Sequence, residues 1–155
     1  LGCSWRNHAE FCSDPGSLLS SPHRQRKHTG VKPAVFLTLA DDSWQRAHYA
    51  FIVAAGMLSM GRAVTIFAGG KSVHALAKDW SGLSGIIPDD ELAARGVPGF
   101  RELRDALIEF DVTLMACETG MALAALEPDA LVETVSVRGI VTFLEQAGDR
   151  PITAL

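Results

Sequence analysis

Cys117 is the residue whose type and setting most favour chemistry. It follows the short apolar run of residues 112–116, and after Thr119 and Gly120 the helix-forming run of residues 121–126 begins. This order predicts a buried strand, a tight turn and a helix start, with the cysteine at the junction. Backbone N–H groups at a helix N-terminus favour an anion, so a thiol there ionises more readily. Cys117 is therefore a candidate thiolate nucleophile, and the alternative left open is a small, buried apolar residue.

Composition limits the classes of protein to consider. The chain has 155 residues, of which 48% are hydrophobic and 21% charged, as expected for one globular domain. A net charge of −4 and a pI near 5.7 argue against a nucleic-acid partner. The longest apolar segment, residues 49–60, is shorter than the roughly 18 residues of a membrane span. Three cysteines are too few for a disulfide scaffold, so we expect a reducing, cytoplasmic setting.

The first 30 residues differ from the rest of the chain. They hold three of the five histidines, two of the three cysteines and a basic cluster at 24–27, without a hydrophobic period. We expect residues 1–30 to be a mobile or loosely attached extension and residues 31–155 to form a single α/β domain. The spacing of Cys3, His8 and Cys12 matches no standard zinc finger and lacks a fourth ligand, so we expect no metal site.

Alternating apolar strands and amphipathic helices follow. Strands are predicted at 33–39, 63–68, 111–116 and 134–137, and helices at 44–60, 72–80, 100–109, 121–126 and 139–147. A long loop at 81–98 contains turn signals and a short helical turn at 90–95, and residues 128–132 form a further turn or short helix. The first two strands are apolar on both faces, which is typical of strands covered on both sides. The order predicts a three-layer, flavodoxin-like α/β fold with a mostly parallel sheet of four to five strands and helices on both faces.

In an open parallel sheet, ligands bind outside the carboxyl ends of the strands. Three predicted strand ends therefore define the candidate site, with Cys117 as its catalytic residue. The ligand-binding candidates at these ends are Asp41, Asp42, Ser43, Gly69, Gly70, Glu118 and Thr119.

Several of these residues have structural interpretations that remain open. The glycine pair allows either a close approach by a ligand or simply a turn. Asp41 and Asp42 are adjacent, so their side chains diverge, which favours a helix cap and a first-turn charge over an acid–base pair. A phosphate-binding loop that used Gly70, Lys71 and Ser72 would need a glycine at position 65. The chain has Thr65 there, so that motif is absent. We expect no organic cofactor.

A general base for the thiol would have to come from one of two histidines. His48 falls on the first predicted helix and His74 near the start of the second. Either one would need to lie within hydrogen-bond reach of Cys117 to form a nucleophile–base pair. No second cysteine of the domain lies near Cys117, so a dithiol mechanism is excluded and sulfur chemistry would need an external partner.

Taken together, the motifs resemble the DsrE/DsrF-like family. The resemblance covers about residues 33–147. It rests on Asp-Asp-Ser after the first strand, Ala-Val-Thr-Ile-Phe-Ala with Gly-Gly-Lys-Ser-Val, and Leu-Met-Ala-Cys-Glu-Thr-Gly-Met-Ala-Leu. It implies a small flavodoxin-like domain, often oligomeric, that carries sulfur as a persulfide on a cysteine, here Cys117.

The resemblance implies an intracellular sulfur carrier, or sulfurtransferase-like protein, in a sulfur relay. Its partners would be a sulfur donor or acceptor protein and further copies of itself, with no nucleic acid and no membrane. A carrier thiolate must attack a persulfide and later release the sulfur to a partner thiol, which requires both ionisation and access. Glu118 opposes ionisation if its carboxylate lies close to the thiol. The alternative is a non-catalytic module of the same fold that binds a small ligand or a partner, with a structural cysteine.

Overall fold

The computed structural model describes residues 32–155. The predicted extension of residues 1–30, with Cys3, His8 and Cys12, lies outside the described residues. Its separation from a single domain at 31–155 stays a prediction.

Five parallel strands form the central sheet. They are β1 Val35–Leu39, β2 Val64–Ala68, β3 Thr113–Cys117, β4 Ser136–Arg138 and β5 Ile152–Ala154. Their order across the sheet is β4-β3-β2-β1-β5, and every pair is parallel. The three central strands are the apolar ones, because only they are covered on both faces along most of their length. The predicted α/β class with a parallel sheet is confirmed.

Helices connect the strands. They are α1 Trp44–Ser59, α2 Asp89–Ala94, α3 Phe100–Glu109, α4 Glu118–Ala124 and α5 Ile140–Ala147, with 3-10 segments at Gly70–Leu76 and Pro128–Ala130. Ser43 caps α1, since its hydroxyl accepts the Arg46 N–H at 3.3 Å. Asp89 caps α3, since its carboxylate accepts the N–H groups of Phe100 and Arg101 at 2.7 and 3.1 Å. Within residues 32–155, no helix has the length and apolarity to cross a membrane.

The two faces of the sheet are covered unequally. One face carries the main core, to which α1, α2, α3, α4 and the first 3-10 segment contribute. The opposite face carries a small cluster, which packs against α5. Its members are Phe36, Phe67, Met115, Cys117, Phe143 and Ala147. Phe143 lies at its centre, stacked on Phe67 at 4.8 Å and edge-on to Phe36 at 5.8 Å between ring centroids. We call this group the α5 cluster.

Three elements differ from the sequence prediction. Helix α4 begins at Glu118, directly after the cysteine, and not at residue 121 after a turn. The helix predicted at 72–80 is a 3-10 segment, Gly70–Leu76, because Ala77 turns extended and forms a bridge with Leu131. The edge strand β5 was not predicted, because its three exposed residues show no burial pattern of their own. It forms by pairing with β1.

Candidate functional site

Cys117 is the last residue of β3 and the N-cap of α4. The structure therefore places it at the predicted junction of strand and helix. Its exposed fraction is 9%, and its side chain belongs to the α5 cluster. The thiol is largely covered, and α5 is the helix that contributes side chains to its cluster.

On the β2 side, Cys117 is flanked by a residue without a side chain. Ala116 pairs with Ala68, so the next residue along β2, Gly69, lies beside the cysteine. A Cβ added to Gly69 would lie 3.2 Å from the Leu39 carbonyl oxygen. Gly69 and Cys117 therefore lie beside each other on neighbouring strands, at the carboxyl edge of the sheet.

Gly70 and Gly120 bring backbone segments into close contact. Gly70 has φ of +48°, and a Cβ there would lie 2.2 Å from the carbonyl oxygen of Ala40. A Cβ on Gly120 would lie 2.6 Å from the carbonyl oxygen of Gly70. These contacts support the turn interpretation of the glycine pair, and a ligand at Gly70 stays a prediction.

On the β4 side, Cys117 is paired with Arg138. Partners in a parallel ladder lie on neighbouring strands about 4.8 Å apart, and their side chains project from the same face. Arg138 is exposed, and its Nη1 donates to the carbonyl oxygen of Val137 at 3.0 Å. The Arg138 side chain therefore leaves β4 on the same face as the Cys117 side chain, one strand away.

Glu118 and Thr119 are both exposed at the start of α4. The Glu118 carboxylate extends toward the N-cap of α5, because an ideal Cβ on Gly139 would lie 3.5 Å from Glu118 Oε2. A carboxylate at a helix N-terminus is stabilised by the free N–H groups there. The Glu118 carboxylate is therefore stabilised by the N-terminus of α5.

The residues after β1 lie two strands from the cysteine, roughly 10 Å away at 4.8 Å per strand. Asp41 accepts the Ser43 N–H at 3.0 Å and forms an ion pair with Arg46 at 2.9 Å. Asp42 accepts the Ser84 hydroxyl at 2.8 Å. The side chains of Asp41, Asp42 and Ser43 therefore all form bonds within the fold. Their role in ligand binding stays a prediction.

Neither histidine is placed beside the cysteine. His48 is buried in the main-core face, where it stacks on Trp44 at 4.8 Å and its Nε2 bonds the carbonyl oxygen of Pro98 at 2.8 Å. Because a carbonyl oxygen only accepts, Nε2 carries the proton. His48 is therefore committed to a structural bond on the face opposite to the thiol.

His74 belongs to a separate polar cavity. Its ring packs against Gly82, where a Cβ would lie 2.3 Å from His74 Nδ1. Nearby, the backbone N–H of Ser81 and then its hydroxyl donate to Asp79 and lower the pKa of that carboxyl, with a smaller contribution from His74. The cavity measures about 350 Å³ and is lined by His74, Ala77, Lys78, Asp79, Ser81, Gly82, Leu126 and Ala130.

A buried arginine supports one wall of this cavity. Arg104 donates from Nη1 to the carbonyl oxygen of Ala77 at 2.5 Å and lies 4.7 Å over the Trp80 ring. Burial lowers the pKa of its guanidinium, although Asp105 partly opposes this effect. Arg104 thus fixes the backbone where the first 3-10 segment ends.

Arg138 is the residue that the sequence reasoning missed. The rule that sites lie at strand ends was applied to the first three predicted strands, and Arg138 directly follows the fourth. The same rule applied to that strand would have found it. Its pairing with Cys117 could not have been read from the sequence, since the register of β3 with β4 depends on the assembled sheet.

The geometry defines a parallel α/β protein with a thiol at the carboxyl edge of its sheet, between a glycine and an arginine. A similar fold occurs in the crystal structure of the ychN protein from E. coli, with a TM-score of 0.54 and 12% sequence identity over 79% of this chain and 99% of that chain. At this identity the likeness shows the fold alone. No protein-family model matches the chain, and no curated protein matches it either.

Proposed function

We propose that this protein is a sulfur carrier of the DsrE/DsrF-like kind that passes persulfide sulfur through Cys117. The Cys117 thiolate attacks the outer sulfur of a donor persulfide, the donor S–S bond breaks, and the donor leaves as a thiolate. A thiolate of the acceptor then takes the same sulfur, and Cys117 is released. No net oxidation or reduction of the carrier occurs.

The observation that carries this proposal is the position of Cys117 at the carboxyl end of β3, the edge where parallel sheets place their sites. Gly69, which follows β2 beside the cysteine, contributes no side chain at this edge. The sequence resemblance supports the family, and the fold likeness is consistent with its α/β architecture.

We extend the proposal to the assembly and its setting. Three exposed apolar residues, Ile140, Val141 and Leu144, lie on α5, the helix that packs on the cluster containing Cys117. An apolar helix face of this kind supports the expected homo-oligomer, with a donor or acceptor protein as the further partner. A carrier thiol must stay reduced, so we place the protein in the cytoplasm.

The test measures whether Cys117 reacts in the folded protein. The full chain is treated with iodoacetamide over a range of pH, and with a small-molecule persulfide donor, and the Cys117 peptide is analysed by mass spectrometry. Peptide analysis separates Cys117 from Cys3 and Cys12. Labelling of the folded chain together with addition of one sulfur atom to Cys117 supports the carrier, and Cys117→Ser must abolish both on that peptide. A thiol that reacts only after unfolding in urea refutes it.

One observation favours a second candidate, a non-catalytic binding module with a structural cysteine. Cys117 packs among apolar residues, as a structural thiol would. In addition, a cavity of about 330 Å³ opens at the end of β1. It is lined by Ser43, Gln45, Arg46, Tyr49 and Leu155. If Cys117 proves unreactive, this cavity becomes the leading candidate for a small-ligand site.

A further inference from the structure

Arg138 carries a positive charge that is not neutralised by a side chain among residues 32–155. Its one hydrogen bond there goes to the backbone carbonyl of Val137. The ion pairs found in this part of the chain join Arg46 to Asp41 and Arg95 to Glu91. The charge of Arg138 is therefore available to a ligand that approaches Cys117.

The nearest acidic side chain in sequence to Cys117 does not pair with this charge. The Glu118 carboxylate lies toward Gly139 and the first turn of α5. The edge around the thiol thus combines the thiol, the Arg138 guanidinium and the Glu118 carboxylate, and no ion pair between these two charges is found among residues 32–155; at Gly69 the edge has no side chain.

We propose that Arg138 makes Cys117 selective for a small anionic sulfur donor, one that carries its transferable sulfur on an oxyanion. This inference rests on the proposed carrier function. A thiolate and an anionic donor repel one another, and a guanidinium one strand away offsets that repulsion. Its planar fork also matches the oxygen atoms of a sulfonate-type group.

With thiosulfate as the donor, the reaction balances without an oxidant. The Cys117 thiolate attacks the outer sulfur of thiosulfate, the S–S bond breaks, and sulfite leaves with the bonding electron pair. The products are the Cys117 persulfide anion and sulfite, and the total charge is unchanged. Arg138 holds the oxyanion end, which becomes the leaving group.

The first test compares an anionic with a neutral reagent of similar size. The rate of Cys117 alkylation by iodoacetate is divided by the rate with iodoacetamide, at one pH and low ionic strength, so that the thiolate fraction cancels. For a unit charge at an assumed separation of about 6 Å and an effective dielectric constant of about 40 to 80, Coulomb's law gives a change in this ratio of about threefold to tenfold. We expect Arg138→Gln to lower the ratio by that factor and Arg138→Lys to keep most of it.

Two controls distinguish a local charge effect from a general one. Arg95→Gln makes the same change of charge on α2, which packs into the main core on the other face, and should leave the ratio unchanged. In the wild-type chain, 1 M salt should lower the ratio toward that of the urea-unfolded protein, because the Debye length falls to about 3 Å. An Arg138→Gln ratio equal to that of the wild type overturns the inference.

The second test follows sulfur transfer from thiosulfate to Cys117 by mass spectrometry. We expect Arg138→Gln to slow transfer more than it slows alkylation by iodoacetamide, with recovery in Arg138→Lys. If the wild type accepts sulfur from a persulfide donor but none from thiosulfate, the anionic-donor inference fails and the carrier function stands. If Cys117 reacts with no reagent in the folded chain, both fail together.

Discussion

Replacing Phe143 by alanine tests whether α5 controls both the stability of the sheet's second face and access to Cys117. Phe143 is 1% exposed and contacts two further aromatic rings, Phe67 and Phe36. It is the largest side chain that α5 contributes to the cluster containing the cysteine. Its removal leaves a cavity between the helix and the sheet.

The expected loss follows from the size of that cavity. Phenylalanine-to-alanine changes in a core cost about 3–5 kcal/mol of unfolding free energy. Among residues 32–155, one short helix, α5, packs on this face and can move inward, so we expect about 3 kcal/mol. A domain of this size has about 5–15 kcal/mol in total, so the variant still folds. Its melting temperature should fall by about 10 °C.

Urea unfolding followed by circular dichroism gives the free energy, and iodoacetamide labelling of the Cys117 peptide gives access to the thiol. We expect labelling to become several times faster, since the ring that covers the cluster is gone. Gln146→Ala serves as the control, because Gln146 is exposed on the same helix and its change should stay within about 0.5 kcal/mol. A decrease in unfolding free energy below about 1 kcal/mol would refute this account of α5. So would the expected decrease of about 3 kcal/mol if the labelling rate of Cys117 stayed unchanged.

Three further substitutions test the backbone contacts and the one exposed carboxyl with a shifted pKa. Gly120→Ala should destabilise the protein by more than 1 kcal/mol in urea unfolding, because its Cβ would lie 2.6 Å from the Gly70 carbonyl oxygen; a neutral result would show that this contact relaxes freely. Gly56→Ala should instead raise stability by about 0.5–1 kcal/mol, because no atom lies within 4 Å of its added Cβ; a decrease would contradict the open space on α1. Ser81→Ala should raise the pKa of Asp79 toward its ordinary value, as followed by NMR titration, because the hydroxyl bond is lost. A carboxyl whose pKa is lowered by folding stabilises the folded state at pH values above its unfolded pKa, and this stabilisation is lost as the pH falls. The variant lacks part of it, so its free energy of unfolding should decrease less on acidification.

The strands that carry the core were predictable because their sequence pattern is local. Continuous apolar runs place β1 and β2 within the predicted ranges of residues 33–39 and 63–68. Cys117 at the end of β3 followed from the same reasoning. A strand that is buried on both faces is apolar along most of its length, so it can be recognised from its own residues.

Features that depend on distant contacts could not be predicted in the same way. Ala77 leaves the predicted helix because it bridges to Leu131, more than 50 residues away along the chain. The sequence allowed Gly70 either to approach a ligand or to form a turn. Its close contact with the Ala40 carbonyl oxygen is evident only in the folded structure. The pairing of Arg138 with Cys117 is of this kind as well.

The register of β4 has a consequence for how this protein can diverge. Side chains alternate between the two faces of a strand, so a slip of one residue would move Arg138 to the main-core face and bring Val137 or Gly139 beside the thiol. Insertions in the connection between α4 and β4 leave the register intact, whereas a single deletion inside the three-residue strand reverses its faces. Related chains could therefore gain or lose a charge beside the cysteine through one indel, without any substitution at either position.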